Sequence, residues 1–307
     1  MKVDLAKFGI SAELPPVFDH SFTGSYIECQ RMAYYERVLG RRGRETSYTL
    51  TWGAVFHALT EVWTATRDLN KCLEIISVNI PEDTDDRYGR NQRRMQEAFL
   101  EWLKYRNNDP IEVLHTEQPV TIACIGDHPC PYSDHSCDLV YGGRLDEIVR
   151  WNALVGPLDF KTTVVEENDP IAQYKPSHQM LGYTWMASHL LGKHCWGAIV
   201  ERMIINKSKI KPGRFPVPFN RDQIVEWVEN ERAVHAEIRQ KFAHCRDDES
   251  YWRQNYARCW LPYPCAFRDA CLAPRTAEFR YRWIRDNTTE HRFNFQEGRK
   301  ETDSDAS

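Results

Sequence analysis

The sequence predicts an α/β protein, a sheet-forming centre flanked by helices with a helical lobe in front of it. Three observations carry this expectation. Apolar residues recur at helical spacing within residues 24–105. The chain then changes to strand-like runs between 111 and 165. Helical and strand-like segments alternate after that, up to about residue 242.

The elements follow in order. Residues 1–20, with Pro15 and Pro16, read as an irregular entry. A helix is expected from Gly24 to Leu39, with Met32, Tyr35 and Leu39 on one stripe, ended by Gly40 and Gly43. A second is expected from Gly53 to Ile76, on the rhythm of Val55, Leu59, Val62 and Trp63. A third, more charged, runs from Tyr88 to Tyr105. Residues 111–123, 138–150 and 154–165 read as strands, and Asn152-Ala153 makes the last two a hairpin. A helix over Pro176–Leu191, a strand over 195–206 and a helix capped by Asn220 and reaching Phe242 complete the series. The acidic tail 301–307 reads as disordered.

Composition narrows the class. The chain has 307 residues, enough to bury a core without staples. Its net charge of −4 argues against a nucleic-acid coat protein but not against a local basic groove. No run approaches the ~20 apolar residues of a membrane span, and the start lacks a signal-peptide core, so a soluble cytoplasmic protein is expected. In that reducing compartment the ten cysteines point to metal rather than disulfides.

The hairpin concentrates the chemistry. Gly143-Arg144-Leu145-Asp146 lies on one strand and Leu158-Asp159-Phe160-Lys161-Thr162-Thr163 on the next. Side chains alternate on a strand, so Asp159 and Lys161 share a face, and Asp146 can sit beside them across the hairpin. Adjacent carboxylates repel unless a divalent cation such as Mg²⁺ offsets the cost. A lysine beside such a cation can position or deprotonate a water. This set suits metal-assisted hydrolysis of a phosphodiester. Two aspartates and a lysine equally describe a surface hairpin with an Asp–Lys cross-strand pair.

Further residues extend the set: His57 in GAVFHALTEVW, and Gln179 with Tyr183 in QMLGY, which lie i, i+4 on one helix face. In this order the residues resemble the motifs of the PD-(D/E)XK nuclease superfamily, in particular its RecB/AddB-like branch: a helix histidine, GxxD, DxK and QxxxY. The resemblance covers about residues 20–275. It implies a restriction-endonuclease-like core, a mixed central sheet flanked by helices, with an N-terminal helical lobe and a C-terminal iron–sulphur segment. It implies Mg²⁺ or Mn²⁺ held by His57, Asp146, Asp159 and the Phe160 carbonyl. Lys161 would activate water, and Gln179 and Tyr183 would position the strand. Glu61, one turn after His57, is a rival ligand or a solvated neighbour, and Glu117 a further acidic candidate.

Cys259, Cys265 and Cys271 follow the spacing C-x5-C-x5-C. Neither gap is the short one that opens a zinc knuckle, whereas a 4Fe–4S cube takes four thiolates from irregular loops. A subset of the resembled branch, CRISPR-associated and phage-encoded, carries one early cysteine and three late ones. By that resemblance Cys29 is the fourth ligand. The cluster would close a loop of over 200 residues. Packed unliganded thiols are the alternative. Cys124, Cys130 and Cys137, with His128 and His135, fill one connecting loop and offer a separate zinc reading. Cys72, Cys195 and Cys245 read as packed thiols.

Basic patches would have to supply any nucleic-acid contact. Arg31, Arg37, Arg41, Arg42 and Arg44 face one acid, Glu36, and Arg41 and Arg42 are the candidate DNA contacts. Phe279-Arg280-Tyr281-Arg282-Trp283 reads either as a base-stacking stretch or as a strand with its aromatics turned inward.

The expected organisation is a helical lobe over 1–110, a nuclease core over 111–245, a cysteine-rich segment over 246–300 packing back on the lobe, and the tail. The resemblance implies a Mg/Mn-dependent DNA exonuclease acting on single-stranded ends in recombination, end processing or spacer processing. Its partners would be DNA and a helicase, recombination or CRISPR protein. No helicase P-loop is present. The alternatives are a non-catalytic DNA-binding subunit of a helicase–nuclease or recombination complex, and a zinc-stabilised RNA-processing enzyme.

Overall fold

In a computed structural model, residues 3–44, 48–82, 86–127, 130–132, 136–175, 177–260, 264–272 and 276–292 are described. The acidic tail, His128, His135 and Pro176 lie outside them.

Helix α1 (His20–Glu28) starts where the Asp19 carboxylate accepts the Phe22 N–H at 2.8 Å. The single helix expected over 24–39 is broken. Cys29 is extended, with φ −161° and ψ 107°, and the chain resumes as α2 (Gln30–Ala33) and a π turn over Tyr34–Val38. The break turns Cys29 toward the C-terminal segment, where the Asn255 N–H donates to its sulfur at 3.4 Å. Strand β1 (Arg41–Gly43) comes next.

The helix expected over 53–76 is also two. Helix α3 (Tyr48–Thr66) ends at Arg67, which has a φ of 56°. Helix α4 (Leu69–Asn79) restarts under an Asp68 cap that accepts the Asn70 and Lys71 N–H groups. Helix α5 (Gln92–Asn108) begins later than expected because Asn91 supplies its cap, accepting the Arg94 N–H at 2.9 Å.

Strands β2 (Glu112–Cys124), β3 (Leu139–Trp151) and β4 (Leu154–Thr163) match the three expected runs closely, and Asn152 makes the β3–β4 turn with a φ of 54°. Helix α6 (His178–Leu191) carries the chain over to β5 (Gly197–Ile205), which pairs parallel with β4. Strand β6 (Ile210–Pro218) was not expected, because Pro212 and Pro216 break its strand signature. It lies at the sheet edge, where a missing N–H is tolerated. The sheet order is β2-β3-β4-β5-β6, with every pairing but β4–β5 antiparallel.

Helix α7 (Arg221–Cys245) opens with a capping box made by Asn220 and Gln223. Helices α8 (Arg268–Leu272) and α9 (Ala277–Asn287) follow, then β7 (Thr288–Glu290), which pairs antiparallel with β1. The aromatic–arginine stretch therefore lies in α9, not in a strand. Tyr281 is buried there and Phe279 exposed.

The core has three parts. Helices α3–α5 pack on one side of the sheet through Trp52, Phe56, Phe99 and Trp102 against Leu158, Phe160 and Met203. Helices α6 and α7 cover another part, through Trp185, Met186 and Trp227 against Tyr141 and Val200. Gly182 allows this approach: a Cβ there would meet Tyr141 at 2.9 Å and Trp227 at 3.1 Å. The third part joins the first forty residues to the end of α7, Trp252, Phe267, Tyr281 and Ile284. The C-terminal segment thus packs on residues 5–39, while 48–108 pack on the sheet. Among the described residues, no helix is long and apolar enough to cross a membrane.

Candidate functional site

The β3–β4 pairing sets Glu147 opposite Leu158, so Asp146 and Asp159 reach the same level of the hairpin. Asp146 Oδ2 accepts the Phe160 N–H at 2.9 Å and lies 3.1 Å from His57 Nδ1 on α3. Asp159 Oδ2 lies 2.6 Å from Lys161 Nζ. Asp159 Oδ1 accepts the Gln179 Nε2–H at 3.1 Å. Gln179 Nε2 also donates to the Tyr183 hydroxyl, and Gln179 Oε1 accepts from Lys161, each at 3.1 Å. His57, Asp146, Asp159, Lys161, Gln179 and Tyr183 therefore meet in one polar network drawn from α3, β3, β4 and α6. A plain surface hairpin is ruled out by burial, because the two carboxylates are 5% and 2% exposed. Lys161, at 28% exposed, opens the site to solvent.

Burial pushes the Asp159 carboxyl above its usual range. The opposed Lys161 ammonium pulls it back, the Asp146 charge pushes it further up, and His57 lowers it. Burial and the same carboxylates push the Tyr183 phenol up strongly. His57 Nδ1 and Asp159 Oδ2 are buried, each beside one polar neighbour, Asp146 and Lys161 respectively. The two buried carboxylates offer the oxygen donors that Mg²⁺ or Mn²⁺ takes, whereas the His57 nitrogen is not a typical Mg²⁺ ligand. Glu61 is turned to Arg144, at 3.3 Å. The Glu117 side chain lies outside the described residues.

Sequence reasoning missed two neighbours. The His20 ring stands edge-on to Tyr183 at 5.5 Å, and its pKa is pushed down to about 4, first by burial; Lys161 and Arg37 also lower it, whereas Asp19 and Glu231 raise it. Glu231 is fully buried on α7, 3.0 Å from His178 and from Thr23 and 3.3 Å from His235. Burial alone would raise its carboxyl, but these partners outweigh that and hold it below the usual range. Nothing in the sequence flags either residue, since their partners lie on other elements or read as ordinary helix surface.

Two cysteine groups form. Cys29, Cys259, Cys265 and Cys271 line one small cavity between the N- and C-terminal segments. Burial pushes the Cys265 thiol up to about 11 and raises Cys271 as well. Four thiols from distant segments line this cavity, and one of them, Cys29, receives a backbone N–H. The second group joins Cys124, Cys130 and Cys137 to His189 of α6, with all four donor atoms within 4.8 Å of one another. These residues could hold a metal ion. His189 replaces the two loop histidines of the sequence reading, which lie outside the described residues. Cys72 and Cys195 are buried thiols, as expected, and Cys245 is half-buried.

The basic run needs a correction. Arg41 is buried, and its guanidinium donates to the Thr288 hydroxyl, the Thr288 carbonyl and the Arg285 carbonyl. It ties β1 to the C-terminal segment and is not an exposed phosphate contact. Arg42 and Arg44 are exposed.

No protein-family model and no curated protein matches the chain. Among solved structures, the crystal structure of SSO0001 is similar at TM-score 0.31 and 15% identity, over 75% of this chain and 82% of that one. That likeness is too slight to define the fold.

Proposed function

We propose that this protein is a metal-dependent DNA nuclease of the PD-(D/E)XK type, RecB/AddB-like, acting as an exonuclease on DNA ends. One observation carries the reading: six residues chosen by motif order form a continuous polar network around two buried carboxylates. His57, Asp146 and Asp159 would hold the Mg²⁺ or Mn²⁺, with the Phe160 carbonyl added by the resemblance. Such a cation, when bound, polarises the phosphate and lowers the pKa of its water. Lys161, an ammonium beside Asp159, would orient that water. The water oxygen would attack phosphorus as the P–O ester bond breaks, the water's proton passing to solvent and the leaving ester oxygen taking one from the Lys161 ammonium or solvent, giving a phosphate monoester and a free hydroxyl. Gln179 bonds both Asp159 and Lys161 and, with Tyr183, would position the strand. Cys29, Cys259, Cys265 and Cys271 would hold a 4Fe–4S cluster as a structural clasp between the chain ends.

The test uses protein purified without oxygen, Mn²⁺, end-labelled linear single-stranded DNA and closed circular single-stranded DNA. Linear DNA is expected to be degraded, the circle spared, and Lys161→Ala slowed on the order of 10²–10⁴-fold. Cutting of the circle would keep the chemistry but make the enzyme an endonuclease. Binding without cutting, equal in wild type and variant, would make the chain a non-catalytic DNA-binding subunit. Iron and acid-labile sulfide should be present and vanish in Cys259→Ser/Cys271→Ser; a colourless, iron-free wild type would remove the cluster.

A further inference from the structure

We propose that Cys124, Cys130, Cys137 and His189 hold one structural Zn²⁺ ion that clamps the β2–β3 connection onto the C-terminal end of α6. The four residues come from three places. Cys124 ends β2, Cys130 and Cys137 lie in the connection before β3, and His189 sits in the last turn of α6. All three cysteines are buried and the histidine half-buried.

The donor set selects the metal. Three soft sulfurs and one imidazole suit Zn²⁺ in a closed four-coordinate structural site, whereas Mg²⁺ and Ca²⁺ take oxygen. Cys130 Sγ lies 3.7 Å from His189 Nε2. A tetrahedron with Zn–S near 2.3 Å and Zn–N near 2.0 Å puts its donors about 3.5–3.8 Å apart. Cys130 and Cys137 sulfurs are 2.6 Å apart and would open by about 1 Å on binding. The Cys137 N–H points at Cys124 Sγ at 3.2 Å, an amide donor placed to stabilise a thiolate. Binding would release three thiol protons to solvent. A Cys130–Cys137 disulfide is the rival, but it gives Cys124 and His189 no reason to converge.

The consequence concerns α6. Its first two turns carry Gln179 and Tyr183, and its last turn carries His189. The ion would fix the far end of the helix that serves the carboxylate site. The proposal itself does not rest on the nuclease reading.

The test uses the full chain with Cys259→Ser/Cys271→Ser, which disables the other cysteine group, purified anaerobically. One zinc per chain is expected. Cobalt substitution should give tetrahedral d–d absorption with thiolate charge transfer. Adding Cys130→Ser should lower bound zinc tenfold or more, while His189→Cys should retain it. Should that background be insoluble, zinc-edge X-ray absorption of wild-type protein decides. Three sulfurs and one nitrogen support the site; four sulfurs place zinc in the Cys29 group instead and overturn it. Absence of zinc, or two thiols that appear only after reduction, also overturns it.

Discussion

At the N-terminal end of α6, His178 meets buried Glu231 and Gln179 reaches Asp159; at its C-terminal end, His189 meets three buried sulfurs. The first end is held by oxygen and nitrogen donors from strands and helices far apart in sequence. It opens to water through Lys161. The second gathers three buried sulfurs and the half-buried His189. One helix therefore separates two kinds of chemistry. Hard donors with a half-buried lysine suit a reaction, and mostly buried soft donors suit a clamp.

The largest effects should fall on opposite properties at the two ends. Asp159→Asn or Asp146→Asn removes one of the paired carboxylates. Cleavage is expected to drop on the order of 10²–10⁴-fold, with bound zinc unchanged. Cys124→Ser should lose the zinc and melt earlier, yet keep most of its cleavage below its melting temperature. Rates on labelled DNA, melting curves and zinc content measure both variants. A Cys124→Ser protein that keeps its melting temperature but loses cleavage outright would break the comparison.

Glu231 sharpens the contrast through pH. Its carboxyl is held below the ordinary range, so its ionised form stabilises the fold above the unfolded value and that contribution fades as pH falls through the folded value. Glu231→Gln keeps the shape but loses the charge beside His178 and His235. It should cost about 1–3 kcal/mol at neutral pH. The gap between variant and wild type should close below the ordinary glutamate pKa of about 4.3. Parallel denaturant titrations at several pH values would show this, and a gap independent of pH would assign the loss to packing.

Much of the oxygen-donor end was legible in the sequence. Strand periodicity and the Asn152-Ala153 turn gave the hairpin, and motif order gave the six residues the fold brings together. What stayed hidden depended on contacts between distant elements. The backbone at Cys29 is extended where the 24–39 helix was expected to continue, and its sulfur receives a hydrogen bond from the far end of the chain. Arg41 reads as a surface charge but is buried on Thr288. His189 is one histidine on an apolar helix, and only the folded β2–β3 connection gives it three sulfurs. Prolines hide β6, and the aromatic–arginine stretch, whose alternation suits a strand or a stacking surface, folds as helix α9.

The smallest effect should come from the hydroxyl at the edge of the network. Tyr183 OH accepts one N–H of Gln179, whose amide also holds Asp159. Tyr183→Phe leaves that N–H without its acceptor and keeps the ring that packs against His20. A lost hydrogen bond of this kind is worth about 0.5–1.5 kcal/mol, so cleavage should fall by about two- to tenfold. Gln179 still bonds Asp159 and Lys161, and the carboxylates stay in place. Single-turnover rates with excess enzyme separate this from weaker DNA binding. A loss as deep as that of Asp159→Asn would mean that the hydroxyl itself touches the reacting phosphate, and Tyr183 would then rank beside Lys161 as a catalytic residue.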